Sequence, residues 1–193
     1  LRNTPCLTGC DFCNQVFDAH KGLKTFFGFD SYRTYNNQSL QEDAVKAALK
    51  GKSLLAIFPT GGGKSITFQV PALMSGELVK DQVDNLRKYS ITDAVTINGL
   101  LDPIERSESF ERVENGTASI LYISPESLRS KSIERLLLGR KIVRFVIDEA
   151  HCFSSWGQDF RVDYLYIGDY IRQLQLKKGL VQPIPVSCFT ATA

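Results

Sequence analysis

Leu54-Leu55-Ala56-Ile57-Phe58 runs through Pro59-Thr60 into Gly61-Gly62-Gly63-Lys64-Ser65. The apolar run reads as a buried strand over 53–58, and the glycines break it into a turn that opens a helix. Three residues without a Cβ let the backbone come close to a phosphate. Successive N–H groups at the start of a helix can then surround a polyphosphate. Lys64 supplies a mobile positive charge for the outer phosphates, and Ser65 a hydroxyl ligand for Mg²⁺. The strict pattern G-x-x-x-x-G-K-[ST] fails at its first position, where Phe58 stands. Taken alone, the stretch leaves a glycine-rich surface turn open as the alternative.

A second stretch argues against that alternative. Ile142-Val143-Arg144-Phe145-Val146-Ile147 is another apolar, β-branched run, and Asp148-Glu149-Ala150-His151 follows it. A carboxylate at the carboxyl end of a buried parallel strand stands where doubly wound sheets bind ligands. Asp148 would hold Mg²⁺ directly or through water, and Glu149 could polarise a water in line with a γ-phosphate. An acidic strand-to-loop junction is common by itself, but it does not account for a phosphate cradle upstream. The two stretches together indicate an NTP-hydrolysing P-loop domain.

The rest of the chain fits one such domain. It has 193 residues, 43% of them hydrophobic, and a formal net charge of +2. That is enough apolar material for a core, and too little net charge to indicate nucleic-acid binding except at a local surface. No apolar stretch is long enough to span a bilayer, so no membrane partner is expected. Residues 1–25 read as a lead-in that could belong to a preceding module, with the catalytic domain over 26–193. Five cysteines fall into two groups. Cys152 and Cys188 stand in apolar strand-end contexts and read as reduced core residues. Cys6, Cys10 and Cys13 form C-x3-C-x2-C with His20 beyond them. They could bind zinc or an iron–sulfur cluster, or be incidental, because no complete second pair is present.

Helices are expected over 40–49, from the phosphate loop to about Leu73, over 77–89, from Asp102-Pro103 to Gly116, from Ser124-Pro125-Glu126 to Gly139, and through Tyr164, Ile167, Ile171 and Leu174. Strands are expected at 53–58, 120–123, 142–147 and 186–189. Continuous apolar strands separated by helices predict an α/β fold with a doubly wound parallel sheet covered on both faces. One step is awkward. Only Met74-Ser75-Gly76 separates two helices where the sheet requires a strand. Either the fold has lost that strand, or a segment is missing between Leu73 and Lys80.

Pro59-Thr60-Gly61-Gly62-Gly63-Lys64-Ser65, Asp148-Glu149-Ala150-His151 and Phe189-Thr190-Ala191-Thr192-Ala193 resemble motifs I, II and III of superfamily 2 helicases. Ala150-His151-Cys152-Phe153-Ser154-Ser155-Trp156-Gly157-Gln158-Asp159-Phe160-Arg161 is similar to the aromatic-rich loop that follows the DEAH box of RecQ DNA helicases, with Gln158 where that family usually has histidine. The resemblance extends from about Phe27 to Ala193. It implies the first RecA-like domain of an ATP-dependent DNA helicase, with ATP and Mg²⁺ at the site and a role in DNA repair and recombination. By the same resemblance, Phe29 and Arg33 sandwich adenine and Gln41 reads its edge. The spacer between Arg33 and Gln41 is longer than the family's. Thr60, Gly61, Gly62, Gly63, Lys64 and Ser65 hold the phosphates. Ser65 and Asp148 hold the metal, and Lys64, Asp148, Glu149 and His151 carry the chemistry. Tyr122-Ile123-Ser124-Pro125-Glu126 resembles a DNA-backbone contact, through Ser124. Lys80-Asp81-Gln82-Val83 resembles the tail of motif Ia, whose usual preceding strand is absent here. The implied partners are single-stranded and duplex DNA and a second RecA-like domain. The implied setting is cytoplasmic and nucleoid-associated in a prokaryote, or nuclear in a eukaryote.

The aromatic loop has its own physical rationale. Single strands are gripped by base stacking on aromatics beside basic groups, and Phe153, Trp156, Phe160 and Arg161 combine both. Core aromatics are the bland alternative, but the small and polar residues around them favour a loop. Thr190 and Thr192 would couple the acidic motif to the DNA site, or simply cap a strand end. Two rival functions stay open: an RNA helicase or non-unwinding translocase, and a nucleic-acid-binding module with a decayed ATP site. Intact Lys64, Ser65, Asp148 and Glu149 argue against decay.

Overall fold

The computed structural model describes residues 11, 17–59, 61–75, 93–153 and 162–191. In chain order these form α1 (Ala19–Phe27), α2 (Leu40–Leu49), β1 (Leu54–Ile57), α3 (Lys64–Ser75), β2 (Ala94–Ile97), α4 (Pro103–Glu114), β3 (Ile120–Ile123), a 3-10 turn (Pro125–Arg129), α5 (Lys131–Gly139), β4 (Phe145–Ile147), a second 3-10 turn (Ala150–Phe153), α6 (Val162–Lys177) and β5 (Val186–Thr190). β1, β5 and β4 pair in that order, all parallel, and β2 pairs parallel with β3.

Side-chain alternation shows how the strands are covered. Successive strand residues point to opposite faces. Ile120, Tyr122, Val146 and Phe189 pack with Leu23 and Phe27 of α1, Ala44 and Val45 of α2, and Phe68 and Val70 of α3. Their neighbours Leu121, Ile123, Phe145, Ile147 and Cys188 pack with Val113 of α4, Leu136 of α5, and Ile167 and Leu174 of α6. Strands from both pairings thus bury one face on α1–α3 and the other on α4–α6. This is the doubly wound, RecA-like P-loop arrangement. It also explains why the strands read as continuous apolar runs rather than as alternating ones.

Local chemistry sets the helix ends. Asp18 caps α1 by accepting from the backbone N–H groups of His20 and Lys21, and Ser39 caps α2 through the N–H of Glu42. Asp102 accepts from Ile104 and Glu105, with Pro103 in the first turn of α4 as expected. Helix α1 crosses the expected boundary at residue 25, and Leu23 and Phe27 on either side of it lie in one apolar cluster.

Four expectations need correction. The strand β2 was not anticipated, although Ala94-Val95-Thr96-Ile97 ends in the turn signal Asn98-Gly99. The helix expected over 124–139 is two pieces, because Ser130 is extended (φ −75°, ψ 127°) and starts a new helix. The β4 ladder begins only at Phe145. On β1, Leu55 and Ile57 are exposed while Leu54 and Ala56 pack inward, so this strand is half-buried rather than buried. The helix expected at 77–89 and the junction after Ser75 lie outside the described residues.

Candidate active site

The phosphate loop leaves β1 at Phe58. That residue is 1% exposed, its ring lies 6.3 Å from Phe189, and its N–H donates to the Thr190 carbonyl. The departure from glycine at the first motif position therefore fills the core with an aromatic and extends the β1–β5 ladder by one bond. Gly61 and Gly63 take the left-handed region, at φ 74° and 71°. Gly62 donates to the Pro59 carbonyl at 2.8 Å, and a Cβ there would stand 2.7 Å from that same oxygen. The three glycines are thus required by the turn's own closure as well as by any phosphate. Lys64 and Ser65 then form the first turn of α3.

Asp148 and Glu149 follow β4. The Lys64 ammonium lies 3.2 Å from Asp148 Oδ1 and 3.0 Å from Glu149 Oε1. Burial works against the lysine's charge, but the hydrogen bonds and charges of the two carboxylates outweigh it and hold its pKa above the ordinary value. Glu149 is in the left-handed region at φ 51°, which aims its side chain back across the cleft. His151 Nδ1 lies 3.4 Å from Glu149 Oε2 and 3.2 Å from Thr190 Oγ1. The end of β5 is thereby joined to the acidic motif through His151. Serine hydroxyl and aspartate carboxylate are hard oxygen donors of the type Mg²⁺ takes, so Ser65 and Asp148 suit that ion chemically.

The residues expected at the nucleotide base converge on the same loop. The Arg33 guanidinium donates to the Gly61 carbonyl at 3.0 Å. Gln41 is 2% exposed, and both ends of its amide are engaged. Its oxygen accepts from the Arg33 N–H at 2.8 Å, and its nitrogen donates to the carbonyls of Gly62 and Gly63. Gln41 is therefore a brace between the Arg33 segment and the phosphate loop. Phe29 lies on the connection that carries Arg33 and is 41% exposed.

On the expected DNA side, Ser124 shares a hydrogen bond with Ser127 at the entry to the first 3-10 turn. Phe153 meets Tyr164 edge-on, with centroids 5.5 Å apart, and packs against the core. Thr60, Trp156, Phe160, Arg161 and Thr192 lie outside the described residues, as do Cys6, Cys10 and Cys13. His20, the fourth member of that possible metal set, bonds Glu42 Oε1 at 3.0 Å and meets the Tyr32 ring edge-on. No group of three potential metal-binding side chains occurs among the described residues. Cys152 and Cys188 are free thiols, the first buried and the second half-buried. No helix among the described residues is long and apolar enough to cross a membrane.

Two site residues escaped sequence reading. Tyr164 donates to the Asp148 carbonyl at 3.4 Å, and only its place just after the aromatic loop hints at this. Arg144, just before β4, is 5% exposed, and its charge inside an apolar run is the readable signal.

The sequence profile of the family described as DEAD/DEAH box helicase matches residues 38–193. The chain belongs to this helicase family. Among its relatives is the probable ATP-dependent DNA helicase RecS of Bacillus subtilis, 39% identical over 181 residues, covering 89% of this chain and 34% of the relative. The RecQ helicase of Haemophilus influenzae is 34% identical over 181 residues, covering 89% and 27%. The ATP-dependent DNA helicase Q5 of Rattus norvegicus is 39% identical over 163 residues, covering 76% and 16%. This helicase chain therefore spans about a third or less of the length of these relatives. In fold it is similar to the helicase MrfA bound to DNA, with a TM-score of 0.67 at 20% identity over 91% of this chain and 25% of that one. The Mycobacterium smegmatis helicase Lhr bound to single-stranded DNA and AMP-PNP gives 0.66 at 17% identity, covering 91% and 25%.

Proposed function

We propose that this chain is the ATP-binding and ATP-hydrolysing domain of a RecQ-type DNA helicase, acting together with a second RecA-like domain on single-stranded and duplex DNA. The observation that carries this reading is the cluster of Lys64, Asp148 and Glu149 at the carboxyl ends of β1 and β4. The RecQ names of relatives at 34–39% identity support it. The expected setting follows the DNA: nucleoid-associated in a prokaryote, nuclear in a eukaryote.

In this reading, the N–H groups from Gly61 to Ser65 bind the β- and γ-phosphates, and Lys64 moves from the carboxylates onto the outer phosphates. That exchange frees Glu149 to hold a water in line with the γ-phosphate. Ser65 and Asp148 would hold Mg²⁺, which neutralises charge developing on the phosphates. His151 relays the position of Glu149 to Thr190. The loop from Phe153 to Arg161 would bind single-stranded DNA by stacking and charge, and Ser124 would touch the DNA backbone.

The test is ATP turnover by the full chain with single-stranded DNA, single-stranded RNA or neither, together with unwinding of a tailed duplex. Stimulation by DNA above RNA, with unwinding, is expected. Stimulation by RNA alone selects the RNA helicase, and stimulation without unwinding selects the translocase.

A further inference from the structure

Arg144 is a buried cation that, among the described residues, donates to no carboxylate. Its guanidinium donates from Nη1 to the Lys52 carbonyl and to Ser187 Oγ, and from Nη2 to the Ala48 carbonyl, each at 2.8 Å. The three acceptors come from three different places. Ala48 is in the last turn of α2, Lys52 is in the turn entering β1, and Ser187 lies on β5 between Leu54 and Val146 in the ladder. A charge with these few acceptors is tolerated because carbonyls at a helix C-terminus carry partial negative charge. The fixed guanidinium fork can meet three acceptors in different directions, which one ammonium cannot. Burial pushes the guanidinium down to about 10, so it remains charged at neutral pH.

The other end of α2 carries Gln41, whose amide grips Gly62 and Gly63. Helix α2 is thus pinned at its first turn to the phosphate loop and at its last turn to the strand that leads to Asp148. Between these pins, Ala44 and Val45 pack in the apolar cluster. Apolar packing resists separation but is non-directional, so it resists sliding and rotation weakly. The polar anchors set the axial position of the helix.

We infer that Arg144 is a positioning residue for nucleotide selection, holding α2 in the register that places Gln41 and Arg33 against the phosphate loop. This rests on the reading of the site as one that binds ATP through its base as well as its phosphates. Arg144 stands at the amino end of β4, four residues and about 13 Å of strand before Asp148. It therefore reaches the nucleotide site only through α2.

The test compares ATP, GTP and inorganic tripolyphosphate as ligands of the full chain, in wild type, R144M, R144K and Q41A. Wild type is expected to prefer ATP. R144M should lose about tenfold in ATP affinity, with KM raised to match, and lose clearly less in tripolyphosphate affinity, with kcat within about twofold of wild type. R144K should recover part of the loss. R144M combined with Q41A should lose little more than either alone, because both act through one helix. If R144M does not fold, R144K carries the test, with a smaller loss of ATP preference expected. Equal losses for ATP and tripolyphosphate, or full additivity with Q41A, would overturn the inference and leave Arg144 as a general brace. A wild type without ATP preference would overturn the base-reading premise itself, whatever Arg144 does.

Discussion

The Nζ atom of Lys64 lies 3.2 Å from Oδ1 of Asp148, joining the first turn after β1 to the end of β4 across the cleft. With Glu149 Oε1 at 3.0 Å, one lysine bridges two carboxylates from the other strand end. K64A removes both the phosphate charge and the cation between these acids. ATP turnover should fall on the order of a hundredfold or more, and titration with a fluorescent ATP analogue should show binding lost. The acid pair holds the lysine's pKa above its ordinary 10.5. Its contribution to stability is complete below that value and fades only as pH rises through the higher folded-state value. The difference in thermal stability between wild type and K64A should therefore stay constant between about pH 7 and 9.

Glu149 combines the proposed catalytic role with a left-handed backbone, φ 51°. E149Q keeps size and hydrogen bonding but cannot act as a base, so nucleotide binding should persist while hydrolysis stops. A side chain in this backbone region costs about 1–2 kcal/mol, and glycine adopts it freely at some cost in unfolded-state entropy. E149G should therefore be as stable as E149A or more so, by up to about 1 kcal/mol. Denaturant unfolding of the two inactive variants checks this. E149A clearly more stable than E149G would show that the backbone at this position is unstrained.

The phosphate loop and acidic motif were legible because their chemistry depends on local order: glycines before a lysine at a helix start, and carboxylates after an apolar run. Capping was legible for the same reason at Asp102, whose side chain bonds N–H groups two and three residues away. The strand at Ala94–Ile97 was not, because four residues carry too little periodicity and its pairing with Ile120–Ile123 is not local. Gln41 as a brace was equally hidden. Its acceptors, Gly62 and Gly63, are more than twenty residues away, and only the folded chain brings an amide against them. Phe58 breaks the motif in sequence, and only its packing against Phe189 in the fold gives the reason.

Glu42, next to Gln41, ties α2 to α1 through His20 and pairs along its own helix with Lys46 at 2.6 Å. The Lys46 hydrogen bond, with His20 adding and burial opposing, holds its carboxyl below the ordinary 4.5. Its stabilising contribution is present above that value and is lost as pH falls through the lowered one. E42Q should be less stable than wild type above about pH 5, by no more than about 1 kcal/mol, and the two should converge in stronger acid. Thermal melts across this range check the convergence. A constant gap down to pH 3 would show that Glu42 acts by packing and not by charge.

The aromatic loop offers the sharpest separation of DNA coupling from chemistry. Phe153, at its start, packs edge-on against Tyr164, and the Tyr164 hydroxyl reaches the Asp148 carbonyl at 3.4 Å. A displacement of the segment between them would bear on the acidic motif from both ends. Trp156 lies within that segment in sequence, beside small and polar residues that favour an exposed position. In the full chain, W156A should leave ATP turnover without DNA near the wild-type rate. Its stimulation by single-stranded DNA should drop at least about tenfold, matching the loss of one base-stacking contact at about 1–3 kcal/mol. Circular dichroism and a melting curve alongside the ATPase assay distinguish coupling from folding. If W156A melts well below wild type and loses both activities together, Trp156 belongs to the core and the coupling role passes to another residue of the loop.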